Sequence, residues 1–502
     1  MEQVESSHFR IFTGYFFLLW YIVILAVAYS GFFEIFNNFR SRPELSKQNE
    51  QKDDHEEDIY EGVTIIRPIK GIDPELYTCL ESSLLQNYPI HKLQVLFCIQ
   101  DSNDESLPIL QQLIDKYPKI DCKILIGDDD HYGPNPKVNN LVKGFLSAKY
   151  DVLWIMDSNV WASENILKNS IITLNKDLNM GRKNKNIKRP VKLVHHVPLA
   201  VSINDNNNNN PYSPFSSANR SKNLGAKLDE MFLHTSHSKF YVSLNNLAIA
   251  PCVNGKSNIY RRSDLDQSVK LIPYKDNQFF NDEIVKRDAK YYSTLPGIGH
   301  GIKFFARYIG EDNMIGIALW ENCQSKTGLT GDVVIQPLGN KSAMSTNSNS
   351  VKDYIQRRVR WLRVRKYMVL MATLVEPTTE SLICGIYGTY AISTVFFKGQ
   401  WFNKYWFAFH MIIWVITDYT QYYILINHVH KGHHNLSSSS SSLPPWLVRV
   451  PSQSYSFSKW FCIWLVREFL ALPIWLIAMF GHEIDWRGKP FKIKKDLTAE
   501  EI

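Results

Sequence analysis

The chain has 502 residues, enough for two or three domains, and 45% of them are hydrophobic, spread unevenly along its length. Its formal charge of +7 sits in clusters beside apolar segments rather than in one long stripe, which points to an anionic membrane surface or a phosphate ligand and away from nucleic acid. Seven widely spaced cysteines (Cys79, Cys98, Cys122, Cys252, Cys323, Cys384 and Cys462) show no CxxC or Cys/His metal spacing, so they read as free thiols facing a reducing compartment.

After a short tail (1–10), residues 11–33 are uncharged and apolar, about the roughly 20 residues a helix needs to cross a bilayer. The stretch is too long for a signal-peptide core and reads as a signal anchor. Arg40, Arg42 and Lys47 follow it, which places the next domain in the cytosol by the positive-inside rule. Residues 34–61 form a charged linker. The pattern then alternates: a strand over Val63–Arg67 closed by Pro68, a helix over Leu76–Leu85, a strand over Leu93–Ile99, a helix over Ile109–Tyr117, a strand over Cys122–Ile126, a helix over Val138–Ser147, and a buried strand over Val152–Met156. This alternation predicts a doubly wound α/β sheet that binds a nucleotide. Neither GxGxxG nor GxxxxGK[ST] occurs, so a dinucleotide fold and a P-loop are not supported.

Asn206–Asn210, Arg182–Arg189, Gly339–Ser350 and Ser437–Ser442 are polar or low in complexity and read as inserted loops without an assigned function. The catalytic domain so delimited spans 62–351. A basic amphipathic region (352–380) follows, suited to a membrane interface. Then comes a membrane region (381–481) with apolar segments at Leu382–Phe397, Trp401–Ile426 and Trp460–Phe480, and a tail (482–502). Asp418, Arg467 and Glu468 lie inside these segments and are expected to face protein or a wet cavity, because charges in lipid are costly.

Three aspartates stand at positions suited to chemistry. Asp157 ends the strand Val152–Met156, where open α/β sheets bind ligands, and it reads either as a ligand for Mg²⁺ or Mn²⁺ on a diphosphate or as a helix cap. Asp101 ends the second strand and reads either as an acceptor for a uracil N–H or ribose hydroxyl or as a turn residue. Asp312 opens an apolar helix and reads either as a cap or as a general base, with Glu311 competing for the second role. Arg357 and Arg360, spaced i,i+3, can share a helical face, and Trp361 offers a flat ring to a sugar or lipid chain. Arg363, Arg365 and Lys366 read as a positively charged membrane-surface face.

Taken together, these aspartates and the Arg-x-x-Arg-Trp box resemble the membrane-bound ceramide glucosyltransferases, relatives of the processive β-glycan synthases that carry Gln-x-x-Arg-Trp. The resemblance runs through Arg67-Pro-Ile-Lys-Gly-Ile-Asp-Pro, Asn135-Pro-Lys-Val-Asn-Asn-Leu, the strand ending in Asp157-Ser, Thr235-Ser-His, Ile309-Gly-Glu-Asp-Asn, Arg357–Trp361, Trp486-Arg-Gly and Thr498-Ala-Glu-Glu-Ile. It implies a GT-A-type domain that transfers glucose from UDP-glucose to the primary hydroxyl of ceramide with inversion, in the Golgi or endoplasmic reticulum membrane, with the catalytic domain facing the cytosol. It further implies that Asp101 holds the uridine, Asp157 the diphosphate through a divalent ion, and Asp312 the acceptor proton, with Arg357, Arg360 and Trp361 completing the site. Pro68, Lys70, Lys137, Asn139 and Cys252 match donor-side positions, and His237 matches a histidine linked to activity; by chemistry alone His237 and Cys252 would be ordinary structural residues.

Two departures stand out. Ser158-Asn159 follows Asp157, so no Asp-x-Asp is complete, and Asp264–His300 is longer than the family pattern. A processive glycan synthase is the alternative, although it needs more membrane helices than the few here; a catalytically dead lipid- or nucleotide-sugar-binding protein is a further one.

Overall fold

The computed structural model describes residues 8–40, 60–127, 131–181, 189–203, 223–248, 250–339, 349–397, 400–429, 443–448, 455–486, 489–494 and 499–501. Arg42, Lys47, the asparagine and serine runs, most of the 182–189 and 339–350 insertions, and Arg487, Gly488 and Thr498 of the tail motifs lie outside these residues.

Chain order begins with α1 (His8–Asn38). The alternating region follows: β1 (Val63–Pro68), α2 (Leu76–Leu84), β2 (Leu93–Ile99), α3 (Leu107–Lys116), β3 (Asp121–Ile126), α4 (Pro136–Ser147), β4 (Val152–Met156) and α5 (Ile166–Gly181). Observed strands fall within a residue or so of those expected from the sequence; β1, β2 and β4 are short apolar runs buried on both faces, whereas β3 at the sheet edge is only partly buried. Next come β5 (Val191–Ser202), α6 (Leu224–Phe232), α7 (Ser238–Asn246), β6 (Ser257–Arg261), α8 (Arg262–Leu271), α9 (Glu283–Thr294), α10 (Gly301–Phe304), α11 (Glu311–Ile317) and β7 (Lys326–Leu338). The sheet order is β3-β2-β1-β4-β6-β5-β7. β1 pairs in parallel with β2 and β4, whereas β6 runs antiparallel to β4. One face is packed by α2, α3 and α5 over Val63, Val95, Phe97 and Trp154. The other is packed by α4 and α8–α11 over Ile66, Leu96 and Ile155. The long segment ahead of Asp312 is thus the helix pair α8 and α9, which builds this second face.

The remaining helices are α12 (Val351–Met368), α13 (Leu370–Val375), α14 (Ser381–Phe396), α15 (Lys404–Asn427), α16 (Pro445–Val448) and α17 (Phe457–Phe480). All but the short α13 share a third core with α1, α6 and α7, although α6 and α7 lie between sheet strands in the sequence. Among the described residues, two helices, α1 and α17, are long and apolar enough to cross a membrane. At 1.5 Å per residue α1 is about 46 Å long, more than a bilayer core of roughly 30 Å. Its end continues into protein: Gly31 lies so close to the Lys239 carbonyl that a Cβ there would clash, and Ser30 bonds Ser243 at 2.6 Å. Outward faces carry Phe12, Phe16 and Leu19 of α1, Ile412 and Ile416 of α15, and Phe469 and Phe480 of α17, all exposed.

Charges inside these helices face protein, as the cost of charge in lipid requires. Asp418 pairs with Lys239 at 2.5 Å and accepts from Trp464 Nε1 at 2.8 Å. Arg467 pairs with Glu380 at 2.9 Å and with Glu468, whose carboxylate also accepts from the Ser381 hydroxyl. Between α6 and α7 the helix widens at Leu233–His237, leaving carbonyls without their usual partners. Gln421 Nε2 donates to the His234 and Thr235 carbonyls at 2.7 and 2.8 Å.

α12 does not offer all its cations to a surface. The Lys366 ammonium donates to the carbonyls of Met479 and Gly481 at 3.1 and 2.8 Å, capping the end of α17, and Arg363 donates to Ile477 O at 3.2 Å. The last strands, β8 (Glu483–Trp486), β9 (Lys489–Ile493) and β10 (Ala499–Glu501), form a small antiparallel sheet. Its Ile484, Phe491 and Ile493 pack on Ile309, Val364 and Tyr367.

Candidate active site

The carboxyl ends of β1, β2 and β4 carry the donor-side residues. Asp157 follows β4, and both of its oxygens meet ammonium groups: Oδ1 with Lys137 at 2.9 Å and Oδ2 with Lys256 at 3.0 Å. Burial alone would raise the Asp157 pKa, but the two lysines outweigh it and hold the carboxyl well below the usual range. Lys137 also contacts Glu311 at 3.1 Å and donates to the Gly255 carbonyl at 3.1 Å. Against its own burial, Asp157, Glu311 and Asp312 together keep it charged.

Local structure explains these positions. Asn135 caps α4 by accepting from the Lys137 and Val138 amides, and Pro136 preorganises the first turn. The same Asn135 amide donates to Tyr308 O at 2.7 Å and Glu311 Oε2 at 2.9 Å, tying α4 to the start of α11. Buried Arg67 donates to Asp157 O at 2.6 Å, Val160 O at 3.0 Å and Ser83 Oγ at 2.9 Å, and so pins the turn after β4. Ser158 donates to Asp73 at 2.9 Å.

Asp312 sits in the first turn of α11, partly buried, beside Gly255: a Cβ at 255 would lie 3.3 Å from its Oδ2 and 2.9 Å from the Lys137 ammonium. Burial first, then the neighbouring Glu311 charge, push its pKa up to about 7, against the pull of Lys137. A carboxylate there is half-protonated near neutrality, the condition for an effective general base. Glu311 is engaged by Lys137 and Asn135, which leaves Asp312 as the less restrained of the pair.

The other sequence candidates are distributed around this centre. Asp101 lies one strand beyond β1 from Asp157, roughly 10 Å away at ordinary strand spacing. It is exposed, and its Oδ1 accepts from the Asn103 amide at 2.8 Å. Pro68 ends β1, and exposed Lys70 follows beside Gly71, whose φ of 65° turns the loop outward. Asn139 spends its amide on Tyr132 N and Gly133 O at 2.9 and 2.8 Å, bracing the loop ahead of α4. Cys252 is partly buried, and its backbone is held by Asn245. Burial raises its thiol pKa, offset by Arg365 and reinforced by Asp312. None of the seven cysteines is in a disulfide.

His237 stacks on Tyr241 at 5.1 Å, and its Nδ1 has no partner among the described residues. Burial, with Arg358 and Arg365 nearby, lowers its pKa to about 3, so it is a neutral ring. In the Arg-x-x-Arg-Trp box, Arg357 forms an ion pair with buried Asp229 on α6. Arg358 lies 3.5 Å from the centre of the Phe232 ring and 3.5 Å from Glu376. Arg360 also acts on the Asp229 charge, and Trp361 packs against the helical core. The box therefore anchors α12 to α6, while Val364 and Met368 of the same helix touch Gly310, next to Glu311 and Asp312.

Sequence reasoning missed Arg67, Asn135 and Lys256 as individual contributors. Asn135-Pro136 before a periodic helix is a cap signature and could have been read. Lys256 is brought to Asp157 by antiparallel pairing of β4 and β6, for which the sequence holds no local signal.

The sequence profile of glycosyl transferase family 21 matches residues 18–182 and 293–499, most of the chain and every strand of the parallel half of the sheet. The chain belongs to glycosyl transferase family 21. It is a glycosyltransferase with a GT-A-type nucleotide-sugar-binding domain. It is 62% identical to the ceramide glucosyltransferase of Candida albicans over 100% of both chains. To that of Komagataella phaffii it is 47% identical, covering 97% of this chain and 91% of the relative. Among solved structures, a mannosyltransferase from Pyrobaculum calidifontis in complex with GDP-Man and Mn²⁺ aligns over 90% of this chain and 98% of that one, at 12% identity and a TM-score of 0.30, too slight a likeness to bear on the site. The family match leaves out 183–292, the stretch that holds α6, His237, Cys252 and Lys256.

Proposed function

We propose that this chain transfers glucose from UDP-glucose to the primary hydroxyl of ceramide, releasing β-glucosylceramide and UDP. The observation that carries this reading is the 62% identity to a ceramide glucosyltransferase over the full length of both chains. The geometry is compatible with it. Asp312 takes the proton of the acceptor hydroxyl as the oxygen forms a bond to the anomeric carbon. The bond from that carbon to the diphosphate breaks on the opposite face, and its electron pair leaves with UDP. A single displacement inverts the configuration. In this reading Asp101 accepts from the uracil or ribose, and Lys137 meets charge developing on the leaving diphosphate.

Asp157 is the residue that would hold a divalent cation. Among the described residues no three His, Cys, Asp or Glu side chains gather around one point, so the protein would supply one carboxylate and the remaining ligands would be phosphate and water. Mg²⁺, which keeps several waters, suits such a site, and so does the strongly ionised state of Asp157. When bound, the ion neutralises diphosphate charge.

Apolar outward faces on α1, α15 and α17 fit an enzyme set in a membrane of the Golgi or endoplasmic reticulum, its sheet domain in the cytosol, where ceramide reaches Asp312 without leaving lipid. The test is transfer of labelled glucose by the purified full-length protein in lipid nanodiscs containing ceramide. A lipid-extractable product cleaved by a β-glucosidase is expected from UDP-glucose. No lipid product, with UDP-glucose still bound, would overturn the acceptor assignment.

A further inference from the structure

We infer that Lys256 is a donor-side residue which moves from Asp157 to the diphosphate of the sugar nucleotide and shares its charge neutralisation with Lys137. The inference rests on the donor being a nucleoside-diphosphate sugar, as proposed above. β6 pairs antiparallel with β4, Met156 opposite Ser257, so Lys256 falls beside Asp157 by register. Its backbone is fixed there: its carbonyl accepts from the Asp157 amide at 3.1 Å, and its own amide donates to the Asn254 side-chain oxygen at 3.1 Å.

The two lysines are held differently. Lys137 is shared among Asp157, Glu311 and the Gly255 carbonyl, contacts that come from three elements. The Lys256 ammonium meets Asp157 Oδ2 and Asn159 Oδ1, at 3.0 and 3.3 Å, both in the turn after β4. Its side chain keeps 20% of its surface exposed at the ligand-binding end of the sheet. A Lys side chain has a flexible four-carbon stem and three donors, so its ammonium can transfer to a phosphate oxygen while the backbone stays paired.

The charges call for such a group. A diphosphate linked to sugar carries two negative charges, and a third develops as the bond to the sugar breaks. Asp157, Glu311 and Asp312 are all acidic and close by, and the incomplete Asp-x-Asp leaves only one carboxylate to recruit a cation. Lys137 and Lys256, the first shared with Glu311, are the ammonium groups that offset these carboxylates where the diphosphate must lie. Lys256 also falls in the stretch that the family profile does not match, so its role is read from this chain's own geometry.

The experiment uses UDP itself as the probe. Full-length wild type, Lys256→Gln and Lys256→Arg are purified in detergent, and UDP affinity is measured by calorimetry in EDTA and again in excess Mg²⁺. In EDTA, Lys256→Gln is expected to bind UDP at least tenfold more weakly than wild type, with Mg²⁺ recovering part of the loss. Lys256→Arg is expected to stay within about threefold of wild type, which a role confined to fold stability would not predict. Melting temperatures for all three proteins separate misfolding from lost binding. Unchanged UDP affinity in a folded Lys256→Gln protein would overturn the inference. If wild type binds UDP but makes no glucosylceramide, the acceptor assignment fails while the comparison of lysine variants still stands. A wild type that binds no UDP overturns both.

Discussion

Replacing Asp312 by Asn should produce a protein that is nearly inactive yet more stable at alkaline pH. Raising a carboxyl from 3.8 to about 7 corresponds to a penalty on the order of 4 kcal/mol for keeping it ionised in the folded protein. The sign follows from the direction of the shift. Because the folded-state value lies above the unfolded one, the native protein binds this proton more tightly. Its stabilising contribution is complete below about pH 4 and is lost as the pH rises through about 7. Asn has nearly the same shape and no charge, so the variant should show no loss from this position over that window. At pH 8 it should be the more stable protein, with about 4 kcal/mol as the ceiling. The assay is thermal unfolding by tryptophan fluorescence in detergent at pH 5, 6, 7 and 8, alongside glucose transfer, which should fall by roughly 10²- to 10⁴-fold. A variant that melts below wild type at pH 8, or that keeps more than a tenth of its turnover, would refute the reasoning.

Other consequences are open to the same tests. Arg67→Met should cost about 2–4 kcal/mol, because it leaves the Asp157 and Val160 carbonyls without their guanidinium donor, and should abolish UDP binding by freeing the turn that carries Asp157; a chemical denaturation series and calorimetry would read both. Lys239→Met strands buried Asp418 and should lower stability by about 3–5 kcal/mol, whereas adding Asp418→Asn should restore much of it, which a melting-temperature cycle would reveal. Gly255→Ala sets a methyl group against the Lys137 ammonium and Asp312; turnover should drop on the order of tenfold, about 1.4 kcal/mol of barrier, with little change in melting temperature.

The parallel half of the sheet was legible because each strand is a local pattern: Leu93–Ile99 was read without error, and Val152–Met156 led directly to Asp157. The inward orientation of Asp418, Arg467 and Glu468 was also legible, since lipid excludes the alternative, but their partners Lys239 and Glu380 were not, being set by packing between distant helices. Basic residues of α12 misled in part. Arg363 and Lys366 resemble a membrane-surface face by composition, yet they cap α17 because that helix ends against them. Helices α6 and α7 read as part of the sheet domain by position, while their apolar residues pack with α1, α15 and α17. Lys256 was hidden for a similar reason, since antiparallel return strands join residues that have no fixed spacing.

The small sheet formed by β8, β9 and β10 has a bearing on how far along the chain the site draws its support. Ile484, Phe491 and Ile493 form the floor under Ile309, two residues before Glu311. Asp157, Lys137 and Lys256 all precede residue 260, yet Lys137 is held by Glu311 and its helix by Tyr308, so the nucleotide side leans on the same late segment. Part of the support of the loop that carries the base thus comes from the last strands of the chain. Loss of this sheet would bare Ile309, Val364 and Tyr367 and loosen the turn that leads into Glu311 and Asp312, although none of its own residues carries the chemistry.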